Sequence, residues 1–274
     1  MNRLRRRFQQ LQASGQKALL PYVTGGYPDA ATTIEILRGI DPTRCACVEL
    51  GLPFSDPIAD GPVIQTSFSR ALEGGFRIDG LFDELAGQRD EIAVPLIAMV
   101  SYSIVYRREP RAFVARAANA GIDGLIVPDI PLEEVDELAA IGRDRDCPIV
   151  MLVAPTSRDP RRARIAALSE PFIYYQSTAG VTGEREQLPT DLLENVARLR
   201  AQSGKPVCVG FGISKPEHVA AVCRVADGAI VGSAIVRRMN AAVDRGASAS
   251  ATARDVIEFI ETLAAAVPAA DEAG

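Results

Sequence analysis

The chain has 274 residues, long enough for two average domains or one large α/β barrel, and its formal net charge of −5 argues against a nucleic-acid binder with a basic face. Apolar residues make up 47% and aromatics 5%, with no tryptophan, so the core is to be built from Ala, Val, Ile and Leu, as suits parallel strands covered by helices. No apolar run approaches the ~18–20 residues of a membrane span.

The first stretch, M-N-R-L-R-R-R-F, is basic, and no acid precedes Asp29. That invites a transit-peptide reading. Leu4, Phe8 and Leu11, however, fall at helical spacing, and a strand begins almost at once near Ala18. The pattern predicts an amphipathic helix over about residues 2–14, lying on the domain. Short, β-branched-rich apolar runs then recur at 18–24, 46–51, 95–101, 123–128, 148–154, 172–177, 206–210 and 228–232. They are continuous rather than alternating, as expected of strands buried on both faces. The segments between them carry helical periodicity, as at 112–120, 132–143 and 192–202. Turn or cap residues introduce several of them: Pro110, Pro131, Asp159-Pro160, Pro189-Thr190 and Ser214-Lys215-Pro216. A last helical stretch covers 254–266, and a tail at about 267–274 is expected to fray.

Eight strands alternating with helices, without a linker or composition break, predict an α/β fold: a single (β/α)8 TIM barrel over residues 1–274 with an extra N-terminal helix. A doubly wound open sheet is the alternative; eight evenly spaced units favour closure. In such a barrel, chemistry sits where strands end and the following loops begin.

That rule selects residues 48–65, V-E-L-G-L-P-F-S-D-P-I-A-D-G-P-V-I-Q, which hold Glu49, Asp56 and Asp60 with nothing basic among them. A surface turn, a metal site and an acid/base site all deserve weighing. With one histidine, His218, placed like an ordinary helix-start residue, both a zinc site of the usual ligand sets and histidine-based nucleophilic catalysis are disfavoured. Five cysteines, an odd number, sit in or beside apolar segments and read as buried free thiols in a reducing cytoplasm. Glu49 lies near the end of the second strand, where partial desolvation raises a carboxyl pKa toward the range useful for proton transfer. The competing reading is a glutamate paired with an inward lysine or arginine, and the strands contain neither. Asp60 supplies a second carboxylate in a different environment, with Gly61 and Pro62 suited to a turn into a helix. Asp56, taken alone, is equally well an Asx-type turn before Pro57.

Later strand ends are poor in side-chain bulk. Only one of Tyr174 and Tyr175 can look into the barrel, since residues two apart share a face. Gly180, Thr182 and Gly183 follow, then Gly210-Phe211-Gly212, then Gly232-Ser233 opening a helix. Together they describe the phosphate cradle that barrels often build near strands 7 and 8. The residues thus indicate a barrel enzyme for a small phosphorylated substrate, using two carboxylates and a tyrosine, without a strand-end lysine for Schiff-base chemistry.

From Leu4 to Met239 the sequence also resembles the tryptophan synthase α chains. The resemblance rests on residues 49–65, on P-Y-V-T-G-G-Y-P-D at 21–29, V-P-D-I-P at 127–131, A-G-V-T-G at 179–183, G-F-G-I-S at 210–214 and G-S-A-I-V at 232–236. It implies retro-aldol cleavage of indole-3-glycerol phosphate to indole and glyceraldehyde 3-phosphate. Glu49 would be the general acid/base, Asp60 the partner of the indole N–H, and Tyr174 the active-site tyrosine. Tyr22 and Tyr102 would belong to the indole pocket, and Gly183, Gly212, Gly232 and Ser233 would cradle the phosphate. Asp56, Pro57 and Asp129 would couple the site to a β chain in an α2β2 complex. The α chain would need no cofactor and no metal; pyridoxal phosphate would belong to the β chain. Tyr22 stands where phenylalanine is common in that family, Ile104 where asparagine is, and Thr178 where some members have arginine. A non-catalytic regulatory subunit and another phosphate-binding barrel, such as a sugar-phosphate isomerase, are the alternatives.

Overall fold

The computed structural model describes residues 2–58, 60–176, 192–210 and 212–270. Eight strands, β1 (Ala18–Thr24), β2 (Val48–Gly51), β3 (Leu96–Met99), β4 (Gly124–Ile126), β5 (Ile149–Val153), β6 (Ile173–Gln176), β7 (Val207–Gly210) and β8 (Gly228–Val231), close into a parallel barrel in sequence order. β8 pairs back onto β1 through Ala18–Gly228 and its neighbours. Helix α1 is Arg3–Ser14, α2 Ala30–Gly39, α3 Pro62–Glu73, α4 Ile78–Gly87, α5 Tyr102–Arg107 and α6 Pro110–Asn119. The rest are α7 (Val135–Asp144), α8 (Asp159–Leu168), α9 (Leu192–Ser203), α10 (Pro216–Cys223), α11 (Ser233–Asp244) and α12 (Ala249–Ala264).

Strand residues are almost all buried because both faces of the sheet are covered. Outward side chains such as Leu19, Val23, Val48, Leu50, Leu125 and Tyr175 pack into the shell of helices. Inward ones, including Leu20, Cys47, Ile97, Ile126, Val150, Tyr174, Cys208 and Ile230, form a second cluster inside the barrel. That cluster is completed by Leu4, Phe8 and Leu11 of α1. Asn2 caps α1 by accepting from the Arg5 N–H, and Gly15 ends it at φ 67°, the left-handed conformation in which glycine is the least strained residue. Phe8 stacks on Phe172 at 4.6 Å between ring centroids. Arg3 pairs with Asp123 at 2.7 Å and Arg5 with Glu170 at 2.9 Å. Asp123 and Glu170 both precede strands, so the helix closes the end of the barrel where strands begin. The opposite end is left for chemistry.

Helices open where proline or a cap stands: α6 at Pro110, α8 at Asp159-Pro160 and α10 at Pro216. The helix expected from residue 132 instead starts at Val135, because the Glu134 N–H closes a turn onto the Pro131 carbonyl at 3.0 Å. The last helix starts at Ala249, earlier than its periodicity indicated, with Ser248 as cap. The five cysteines are free and buried. The expected start at Pro189-Thr190 and part of the expected frayed tail lie outside the described residues.

Candidate active site

At the strand C-terminal end the barrel opens into a cavity of about 670 Å³, a volume typical of small-molecule sites. Its wall includes Tyr22, Glu49, Asp56, Asp60, Asp129, Tyr174, Gln176, Gly212, Gly232 and Ser233. The strand-end rule thus brings together, in one cavity, residues spread over more than two hundred positions.

Glu49 projects inward because Val48 and Leu50 project outward. It is level with Tyr22 on β1 and Ile97 on β3. It is fully buried, and neither carboxyl oxygen has a hydrogen-bond partner among the described residues. With no basic partner among the described residues to offset the lost hydration, burial pushes its pKa well above the usual carboxylate range. Burial thus favours the protonated, neutral form of this carboxyl, whose proton faces the cavity.

Asp60 is held by the backbone of its own loop. Its N–H donates to the Pro57 carbonyl at 3.1 Å, and Gln65 of α3 donates its side-chain amide to the carbonyls of Asp60 and Pro57 at 2.8 and 3.1 Å. Burial, and secondarily the charge of Asp129, raise its carboxyl to about 6. It is therefore largely ionised at neutral pH, whereas burial favours the protonated form of Glu49. The loop crest is open to solvent: Asp56, accepting from the Ser55 hydroxyl at 2.6 Å, is exposed, and Ile58 is 88% exposed.

Tyr174, rather than Tyr175, faces inward. Its hydroxyl lies where any side chain on Gly210 would collide with it, and Gly51 stands in the same relation to the Tyr22 hydroxyl. Both phenols lie across the floor of the site because a neighbouring strand lacks a side chain there. Burial, with the nearby charge of Asp60 for Tyr22 and of Glu49 for Tyr174, raises both phenol pKa values, so they act as neutral hydroxyls.

On the far wall, Gly212 has φ 85° and Gly232 precedes Ser233 at the start of the twelve-residue helix α11. The free N–H groups and dipole of a helix N-terminus there favour an anion. Gly183 lies outside the described residues, as do Gly180, Thr182 and Phe211. Among the described residues, no group of three His, Cys, Asp or Glu side chains is arranged to hold a metal ion.

The tryptophan synthase alpha chain family model matches residues 8–267. The chain belongs to the tryptophan synthase alpha chain family. A tryptophan synthase alpha chain from Rhodopirellula baltica is 43% identical over 280 residues, covering 98% of this chain and all of that one. One from Caulobacter sp. is 43% identical over 88% of each chain. Among solved structures, Mycobacterium tuberculosis tryptophan synthase has a TM-score of 0.85 at 31% identity, covering 97% of this chain and 98% of that one. A mutant alpha-subunit from Pyrococcus furiosus has a TM-score of 0.81 at 34% identity, covering 90% of this chain and 98% of that one.

One residue assigned by resemblance to the indole pocket sits differently. Tyr102 does not line the cavity: its ring packs against Tyr106 and its hydroxyl donates to Glu134 at 3.3 Å. Its side chain follows the outer face of α5, and only its backbone N–H serves the site, bonded at 2.7 Å to Asp129. Asp129 also accepts from the Ser101 hydroxyl at 2.7 Å, so it ties the loop after β3 to the loop after β4. Sequence reasoning missed the apolar wall of Leu52, Phe54, Ile64 and Phe68. The four-residue spacing of Ile64 and Phe68 on α3 was the available signal. The Gln65 stitch and the Asp129 clamp left no such signal, since each depends on how two loops meet.

Proposed function

We propose that this chain is a carbon–carbon lyase of tryptophan biosynthesis, the α subunit that cleaves indole-3-glycerol phosphate to indole and glyceraldehyde 3-phosphate. The observation that carries the reading is a pair of carboxyl groups in one cavity held in different environments: Glu49 fully buried and unpartnered among the described residues, with burial favouring its neutral form, and Asp60 ionised above about pH 6.

Glu49 delivers its proton to the indole carbon that bears the side chain. That carbon becomes tetrahedral and the ring nitrogen becomes cationic, with its N–H donated to the Asp60 carboxylate. A protonated ring is an electron sink. When the hydroxyl on the adjacent carbon gives up its proton to the Glu49 carboxylate, a C=O bond forms and the ring–chain bond breaks. Its electron pair returns to the ring, so indole leaves neutral and Glu49 ends as it began. Tyr22, Tyr174, Ile64 and Phe68 surround the ring, and Gly212, Gly232 and Ser233 receive the phosphate, with Gly183 as a further member of that cradle. No cofactor enters this step.

The exposed loop bearing Asp56, Pro57 and Ile58, with Asp129 behind it, faces a β chain in an α2β2 complex in the cytoplasm. There pyridoxal phosphate supports condensation of indole with serine. The whole chain, 1–274, acts as one domain. The test is indole release from indole-3-glycerol phosphate by the isolated chain, by the chain with a β subunit, and by Glu49→Gln. Wild-type turnover is expected, with a loss in Glu49→Gln of about 10²–10⁴-fold. Undiminished turnover in Glu49→Gln overturns the mechanism. No turnover even with the β subunit makes the chain a regulatory subunit instead.

A further inference from the structure

Gln176 is the last residue of β6, two positions beyond Tyr174 on the same strand. Side chains two apart share a face, and Gln176 does line the cavity. At about 3.3 Å of rise per residue it stands about 6–7 Å further along the strand toward the mouth. Across the ladder it is level with Gly210, whose missing side chain makes room for the Tyr174 hydroxyl, so the carboxamide lies at the level of that phenol's end. The distribution of polar groups around it is uneven. The acids Glu49, Asp56, Asp60 and Asp129 come from β2 and the loops after β2 and β4, and the anion-favouring helix start is at Gly232-Ser233. Gln176 is the one carboxamide among the described residues of the wall, it is only partly buried, and its side-chain amide has no hydrogen-bond partner among the described residues.

We propose that Gln176 is a substrate-binding residue that reads the hydroxyl groups of the three-carbon chain between the ring and the phosphate. The inference rests on the substrate class named above and assigns the part of that substrate which neither carboxylate nor the cradle recognises. A carboxamide suits adjacent hydroxyls: its N–H donates to one while its C=O accepts from the next. An apolar side chain here would leave both without partners in a partly desolvated cavity, which is how polar sites discriminate.

The experiment compares two ligands on Gln176→Leu and on Gln176→Asn, which keeps the amide but withdraws it by one methylene. One ligand is indole-3-glycerol phosphate. The other is indole-3-propanol phosphate, which has the same ring and phosphate but no chain hydroxyls. Losing a hydrogen bond of ordinary net strength predicts a rise in KM for the substrate of about five- to tenfold in both variants, with kcat little changed. The Kd of the hydroxyl-free compound is expected to stay within about twofold. Equal weakening for both ligands, or none for either, overturns the assignment. The wild type keeps this separate from the parent reading: if it fails to cleave indole-3-glycerol phosphate, the function is wrong, whatever Gln176 does.

Discussion

Glu49 and Asp60 are eleven residues apart in one loop-bearing segment, yet the fold gives them different acidities. Among the described residues, Glu49 is inside the barrel wall with no partner, and Asp60 is on the loop, less deeply buried and held through its backbone. If the ionised form of Asp60 receives the ring N–H, then kcat/KM falls as pH drops through about 6, the value to which burial and Asp129 raise it. The sign follows from charge: protonation removes the anion that stabilises the cationic ring. Asp129→Asn withdraws a neighbouring negative charge, so this acid limb is expected at lower pH in that variant. A pH–rate profile of both proteins checks this, and an unmoved limb would detach Asp129 from Asp60.

Among elements, α1 and the loop after β2 are complementary. The helix closes the barrel end opposite the cavity with Leu4, Phe8 and Leu11, all buried, and is pinned by Arg3 and Arg5 to residues that lead into strands. Phe8→Ala opens a void against Phe172 and is expected to cost about 3–5 kcal/mol, read as a lower urea midpoint. Turnover of the folded fraction at low temperature should persist, because α1 closes the end of the barrel opposite the cavity and none of its residues lines that cavity. The loop after β2 is built the other way, with its crest in solvent and its base stitched to α3 by Gln65. Under the subunit reading, Ile58 is covered by the partner. Ile58→Asp is then expected to weaken α–β association by about tenfold or more while leaving the isolated chain's turnover intact, measured by titration with the β subunit.

For the whole molecule, the barrel was legible in the sequence because its strands are buried on both faces and so appear as continuous apolar runs, each followed by helical periodicity. Glu49 and Asp60 were legible because an acidic strand end is costly and therefore conspicuous. Local chemistry also gave α1 its amphipathic face and most helix starts their proline or cap. What depended on side-chain direction or on meetings between distant loops was not readable. The choice of Tyr174 over Tyr175 required the register of β6 within a closed sheet. Tyr102 left the cavity because α5 turns its phenol toward Glu134. Asp129 found Ser101 and the Tyr102 N–H from 28 and 27 residues away. The glycines Gly51 and Gly210 acquired their meaning only from phenols on neighbouring strands. Residue type and short-range spacing determined the elements and the acids. Barrel closure alone decided which side chains share the cavity, because strand pairing fixes inward direction and level together across positions far apart in the chain.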